Sequence, residues 1–136
     1  MIIDKELMMS NAQAVTVTAA SLDVIDLGAR LGLENGGLSD DLWLQIRVDT
    51  AAEASGSATV AFALQTDDDE AFGTATTLWS RAATGKALLV AGYSVARFKL
   101  PIGMKRYARV YYTVATGPLT AGKFDAFINS GVQESY

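Results

Sequence analysis

From Leu42 onward the chain alternates apolar and polar positions with a period of two. Leu42, Leu44, Ile46 and Val48 fall on one face of an extended strand, and Trp43, Gln45, Arg47 and Asp49 fall on the other. The same period returns at residues 58–65, where Val60, Phe62 and Leu64 share a face, and at 95–100, where Ala96, Phe98 and Leu100 oppose Val95, Arg97 and Lys99. Residues 106–116 carry the longest such run, with Ala108, Val110, Tyr112 and Val114 against Tyr107, Arg109, Tyr111 and Thr113, and its length predicts a central strand. Phe124, Ala126 and Ile128 alternate with Asp125, Phe127 and Asn129 in a further strand. Val15-Thr16-Val17-Thr18 and residues 22–27 predict two short strands or one bent one, and further short strands are predicted at the Thr-rich residues 74–79 and at 87–90.

Turn chemistry separates these runs: Ser55-Gly56-Ser57, the acidic Asp67-Asp68-Asp69-Glu70, Gly92, Pro101 with Gly103, Thr116-Gly117-Pro118 and Thr120-Ala121-Gly122. Residues 30–41, with Gly32, Asn35, Gly36, Gly37 and Asp40, form the longest irregular stretch. No stretch holds a helical period, so about eight short strands must bury their apolar faces against one another. The expected solution is an all-β, two-sheet antiparallel β-sandwich or a small barrel, and about eight strands make a jelly roll more attractive than a seven-stranded immunoglobulin-like sandwich, which the pattern barely separates from it. Residues 1–14 are expected to form an N-terminal arm, and 15–136 a single sandwich domain. Strand order does not follow from the pattern.

Composition narrows the chemistry. The 136 residues include no His and no Cys, which removes the side chains behind most general-base, thiol-nucleophile and transition-metal sites. An enzyme is therefore not expected, nor a cofactor. The net charge of −4 argues against a surface built to neutralise nucleic-acid phosphates. Lys105, Arg106 and Arg109 do gather near Tyr107, Tyr111 and Tyr112, but the alternation there fits a half-buried strand better than a base-stacking platform. No apolar run approaches the roughly 20 residues of a membrane span. Residues 1–9 mix Asp4, Lys5 and Glu6 with apolar side chains and lack the pattern of a secretory signal, so secretion is not expected.

Several local features have a chemical reading and a plainer one. Asp67, Asp68, Asp69 and Glu70 could offer oxygen ligands to Ca²⁺, but they lack EF-hand spacing and fit a solvated hairpin turn. Asp23 with Asp26, or Asp40 with Asp41, would need to face each other across a substrate to act as a glycosidase pair, and adjacency in sequence does not provide that geometry. Gly85-Lys86 is followed by Ala87, so it is not a phosphate loop. Trp43 and Trp79 are candidate contact residues, with burial inside the sandwich as the alternative. Ile2, Ile3, Leu7, Met8 and Met9 are candidate contacts of a docking arm, or else an added strand or cover on the chain's own sandwich.

The segments Ser10-Asn11-Ala12-Gln13-Ala14-Val15-Thr16, Thr18-Ala19-Ala20-Ser21 and Val24-Ile25-Asp26-Leu27-Gly28 resemble the opening of the jelly-roll capsid cement proteins of tailed bacteriophages. The resemblance continues in order through Ala63-Leu64-Gln65-Thr66-Asp67-Asp68, Ala71-Phe72, Ala91-Gly92-Tyr93, Leu100-Pro101-Ile102-Gly103-Met104-Lys105-Arg106-Tyr107 and Gly117-Pro118-Leu119-Thr120-Ala121-Gly122. Leu22-Asp23 and Asp69-Glu70 depart from that pattern. The resemblance implies a non-enzymatic decoration protein, made in the bacterial cytoplasm and placed on the outer surface of the virion. Its expected partners are the major capsid protein and further copies of itself, as a dimer or trimer. A carbohydrate-binding β-sandwich, stacking Trp and Tyr on sugar rings, is the alternative.

Overall fold

The alternation that begins at Leu42 produces a long strand because its apolar face finds a second sheet to cover it. The computed structural model describes residues 8–26, 42–100 and 105–130, and these contain nine strands and no helix. In chain order they are β1 (Met8–Ala14), β2 (Ala19–Ala20), β3 (Ile25–Asp26), β4 (Leu42–Glu53), β5 (Thr59–Asp67), β6 (Thr76–Gly85), β7 (Ser94–Lys99), β8 (Tyr107–Ala115) and β9 (Ala121–Ser130). One sheet has the order β1-β9-β4-β7 and the other β2-β8-β5-β6, with β3 also paired to β8, and every pairing is antiparallel. Taking β2 and β3 as one interrupted strand leaves two four-stranded sheets that exchange the chain repeatedly, the jelly-roll arrangement.

The inward positions are those the alternation predicts. Leu44, Ile46 and Val48 of β4 and Phe124, Ala126 and Ile128 of β9 meet Val60, Phe62 and Leu64 of β5 and Ala108, Val110 and Tyr112 of β8. At the centre, the Phe62 ring stands edge-on to Tyr112 (5.8 Å) and to Phe124 (5.5 Å), while Tyr112 stacks on Phe124 at 5.5 Å. Such ring pairs add about 0.5–1.5 kcal/mol each beyond the area they bury.

One flank of the sandwich is closed by a buried polar network. The Tyr112 hydroxyl donates to Ser10 Oγ (2.8 Å), and the Ser10 hydroxyl donates to Gln13 Oε1 (2.7 Å). That same oxygen accepts the Leu22 N–H (2.9 Å), and Gln13 Nε2 donates to the Ala20 carbonyl (3.1 Å). Gln13 thus ties β1 of one sheet to the β2 edge of the other. Burial raises the Tyr112 pKa far above the ordinary phenol value, so its hydroxyl stays a donor. Among the described residues no buried side-chain nitrogen or oxygen lacks a partner.

The opposite flank is closed by side chains of the β6 and β7 edges. Trp79 lies against Phe98 with ring centres 5.0 Å apart. Arg81 reaches across to the Val95 carbonyl (2.6 Å) and the Tyr93 hydroxyl (2.7 Å).

Four expectations need correction. Residues 15–18 are not a strand: the backbone crosses between sheets there, with the Val15 N–H bonded to the Gly122 carbonyl and the Leu119 N–H to the Thr16 carbonyl. Residues 87–90 are not a strand either. Leu88 and Leu89 donate back to the Gly85 and Lys86 carbonyls, forming turns, and of this run only Leu89 is buried. The strand expected at 74–79 instead runs over Thr76–Gly85, because pairing with β5 extends to Thr59↔Gly85 through small side chains that give no alternation signal. The arm expected over residues 1–14 is, from Met8, strand β1, paired to β9 and bulged around Ala12 at positive φ. The irregular stretch at 30–41 lies outside the described residues.

Replacing Gln13 with Ala strips partners from Ser10, Ala20 and Leu22 at once, and is expected to cost at least about 2 kcal/mol in urea unfolding. Tyr112→Phe, which leaves the Ser10–Gln13 bond in place, is expected to cost about 1 kcal/mol. Equal losses for the two variants would count against Gln13 as the hub.

Candidate docking surfaces

The predicted contact residues separate in the structure. Ile2, Ile3 and Leu7 lie outside the described residues. Met9 is fully buried in the chain's own core, so it is not a partner contact: the β1 bulge turns both Met9 and Ser10 out of solvent. Met8 is half-buried beside Phe127 on the outer face of the first sheet. Trp79 is committed to Phe98 and the sandwich flank. Trp43 is half-buried on that outer face, paired in register with Lys99, whose ammonium stands 6.0 Å from the ring centre.

The alternation misses one residue of this face. Phe127 points away from the core, opposite Gln45 and Met8, yet is fully buried. The Arg47 guanidinium covers its ring at 5.3 Å and is itself held by Asp125 at 3.1 Å. Asp125 also accepts the Ala12 N–H at 2.6 Å, so one carboxylate joins β1, β4 and β9. A cross-strand triplet of this kind becomes visible only once register is known.

The end of the molecule bearing the β5–β6 turn carries most of the sequence-predicted chemistry, and the structure gives it structural work. Asp67 Oδ1 accepts the N–H groups of Asp68 (2.7 Å) and Asp69 (3.3 Å), and Oδ2 accepts that of Thr74 (2.9 Å). These bonds, that of Thr74 foremost, hold the carboxyl below its ordinary pKa. The basic-aromatic strand is similarly engaged within the chain. Arg109 lies 4.2 Å from the Phe72 ring centre and donates to Gln65 Oε1, while Arg106 pairs with both Asp26 oxygens at 3.0 Å. Asp26 thus faces Arg106 rather than a second carboxylate across a substrate, and Asp40 and Asp41 lie outside the described residues. Among the described residues no group of three or more His, Cys, Asp or Glu side chains is placed to hold a metal ion.

The opposite end is different in character. Register brings four connections together there: residues 15–18 between β1 and β2, 54–58 between β4 and β5, 86–93 between β6 and β7, and 116–120 between β8 and β9. Three of the four exposed large aliphatic side chains described belong to this end: Val17 at 60%, Leu88 at 57% and Val90 at 52% exposure, with Leu22 elsewhere. Two open hollows adjoin them, one lined by Ala51, Ala54, Lys86, Ala87 and Val90, the other by Val17, Thr18, Val114, Gly117 and Pro118. The end is held firmly by backbone bonds, Ala52 N–H to the Leu89 carbonyl (2.9 Å) and Thr120 N–H to the Glu53 carbonyl (2.7 Å). Gly122 is required at its base, since a Cβ there would meet the Ala52 Cα at 3.3 Å with φ at 151°.

A family model described as Bbp16 matches residues 9–128, which runs from the core residue Met9 in β1 to Ile128 in β9. The chain belongs to the Bbp16 family. No curated protein matches it. The Bbp16 match includes the Gln13 network, the acidic turn and the apolar end.

Asp67 offers a direct check on the acidic turn. Its folded pKa is depressed, so its contribution to stability is present in full above the unfolded value of about 3.9 and is lost as pH falls from there through the folded value. The wild type is therefore expected to lose more stability between pH 6 and pH 3 than Asp67→Asn, measured by urea unfolding at each pH. Equal losses would remove Asp67 from the account.

Proposed function

We propose that this Bbp16-family chain is a capsid cement protein of a tailed bacteriophage. In this reading it binds the outer surface of the assembled shell, ties neighbouring major capsid subunits together and performs no chemistry. The observation that carries the reading is the ordered run of cement-protein-like segments from Ser10 to Gly122. It lies within the Bbp16 match and covers the residues that lock the jelly roll: Ser10, Gln13, Ala20, Asp67, Gly117 and Gly122.

The physical design suits the task. A cement must transmit load without yielding, and here both flanks of the sandwich are cross-linked, one by the Gln13 network and the other by Trp79, Phe98 and Arg81. Each copy needs only modest affinity, because many copies engaged over one shell, each able to span two or three subunits as a dimer or trimer, resist rupture together. The protein works in the virion after synthesis in the bacterial cytoplasm, without cofactor, nucleic acid or membrane.

The purified protein is expected to co-sediment saturably with expanded shells of its own phage that lack it, and to raise the temperature at which they rupture. Failure to bind, together with virions lacking the protein being as heat- and pressure-resistant as the parent, would end this reading. A carbohydrate-binding sandwich is the second reading, and the half-buried indole of Trp43 is the observation in its favour. Binding of millimolar sugar that is lost in Trp43→Ala would favour it.

A further inference from the structure

The geometry points to the outer face of the β2-β8-β5-β6 sheet as the surface where two copies of the chain join, Tyr111 of each seated on Ala63 of the other about a two-fold axis that runs along the strands. This rests on the self-association included in the cement reading and goes beyond it by assigning the face, the symmetry and the contacts.

The alternation that buries Val60, Phe62 and Leu64 turns Ala61, Ala63 and Gln65 of β5 outward, and the same rule turns Arg109, Tyr111 and Thr113 of β8 to that face. Register makes them lateral neighbours: Ala61 with Thr113, Ala63 with Tyr111, and Gln65 with Arg109. On the far side of β5, Ser80 of β6 stands beside Ala63. The face therefore carries a ridge of large side chains along β8 and, parallel to it, a trough of small ones along β5 and β6. Ala61, Ala63 and Tyr111 are half-buried, while Thr113 and Ser80 are exposed. Among these outward side chains only Arg109 is charged, and it lies flat, 5.5 Å from the Tyr111 ring centre, donating to Gln65 Oε1 at 2.8 Å.

A ridge beside a parallel trough is complementary to itself under one operation. A two-fold axis lying in the interface, parallel to the strands and between β5 and β8, carries each β8 onto the β5 of the other copy and keeps the position along the strand. Every lateral pair within the sheet then becomes a pair across the interface, as an isologous contact requires. Tyr111 meets Ala63 of the second copy, Thr113 meets Ala61, and Arg109 meets the Gln65 amide and no like charge. Tyr against Ala fills the about 10 Å that separates packed sheets. A two-fold across the strands would set ridge on ridge and leave both troughs empty. An unrelated partner would have to carry the complementary ridge and trough on its own account, whereas a second copy carries them by symmetry. With strands about 4.8 Å apart and a rise of about 3.3 Å per residue, the face covers roughly 500 Å² in projection, and side-chain relief brings it to the about 600–1,000 Å² per copy that specific interfaces bury.

The test is sedimentation equilibrium of the full-length protein across the micromolar range, without shells. The wild type is expected to be a dimer. Ala63→Arg, which fills the trough with a charge, is expected to weaken dimerisation at least about tenfold, and Thr50→Arg, at an exposed position of the other sheet, to dimerise as the wild type. Should Ala63→Arg fail to fold, Thr113→Arg, at an exposed position of the same face, decides the matter. The chain has no Cys, so one introduced thiol reports one position. In Thr59→Cys the two thiols of a dimer stand at the same height along the strands, and a bifunctional maleimide long enough for the about 10 Å between packed sheets is expected to join them. A monomeric or trimeric wild type overturns the proposal, and so does a dimer that both Arg variants leave intact or that Thr59→Cys fails to crosslink. If the wild type is monomeric and Ala63→Arg loses shell binding, the face belongs to a capsid subunit and the proposal is again overturned. Shell binding by the wild type is read separately, so its failure ends the cement reading whatever the solution mass.

Discussion

Phe62, Tyr112 and Phe124 meet at the centre of the sandwich, and most of the architecture can be traced outward from them. Phe62 and Tyr112 belong to one sheet and Phe124 to the other, so their edge-on and stacked contacts set how the two sheets face each other. Tyr112 brings a hydroxyl into this apolar setting, and an unpartnered buried hydroxyl would cost free energy that the core could not spare. Ser10 supplies its partner, Gln13 supplies one for Ser10, and the network then captures the backbone of Ala20 and Leu22. One buried polar atom therefore accounts for the bulge in β1, the course of the chain into β2 and the closure of that flank.

The two ends of the sandwich divide the remaining tasks. At the acidic end, charges are consumed by the fold itself: Asp67 organises a turn, Arg109 covers Phe72, and Arg106 holds Asp26. At the other end aliphatic side chains stand in solvent on a base tied down by main-chain bonds. Charged side chains thus hold one end together, while three of the four exposed large aliphatic side chains described gather at the other.

The strands with large alternating side chains were legible from sequence. In β4, β5, β8 and β9 the period of two names the residues that face the core, because any sheet that covers one face forces that choice, while Phe127 and Asp125, buried on the outer face of β9, fall outside it. Where side chains are small the pattern falls silent. Ser80, Ala82, Ala83 and Gly85 of β6 contain no periodic signal, and their strand exists because β5 pairs with them. At residues 15–18 and 87–90 the pattern is present but misleads, since β-branched and aliphatic residues there serve crossings between sheets. For Met9 and Trp79 the sequence leaves contact and packing both open, because packing against a distant element cannot be seen in neighbouring residues.

By itself, then, the chain's alternation determined an all-β sandwich and its core faces, since these depend on local period, and its composition holds no His or Cys. Only the tertiary structure decided strand order, the Gln13 network, the Arg47–Asp125 cover over Phe127 and the gathering of Val17, Leu88 and Val90 at one end. The physical reason is separation along the chain. Asp125 meets Ala12 across 113 positions and Tyr112 meets Ser10 across 102, and such contacts arise from the pairing of strands, which no local pattern encodes.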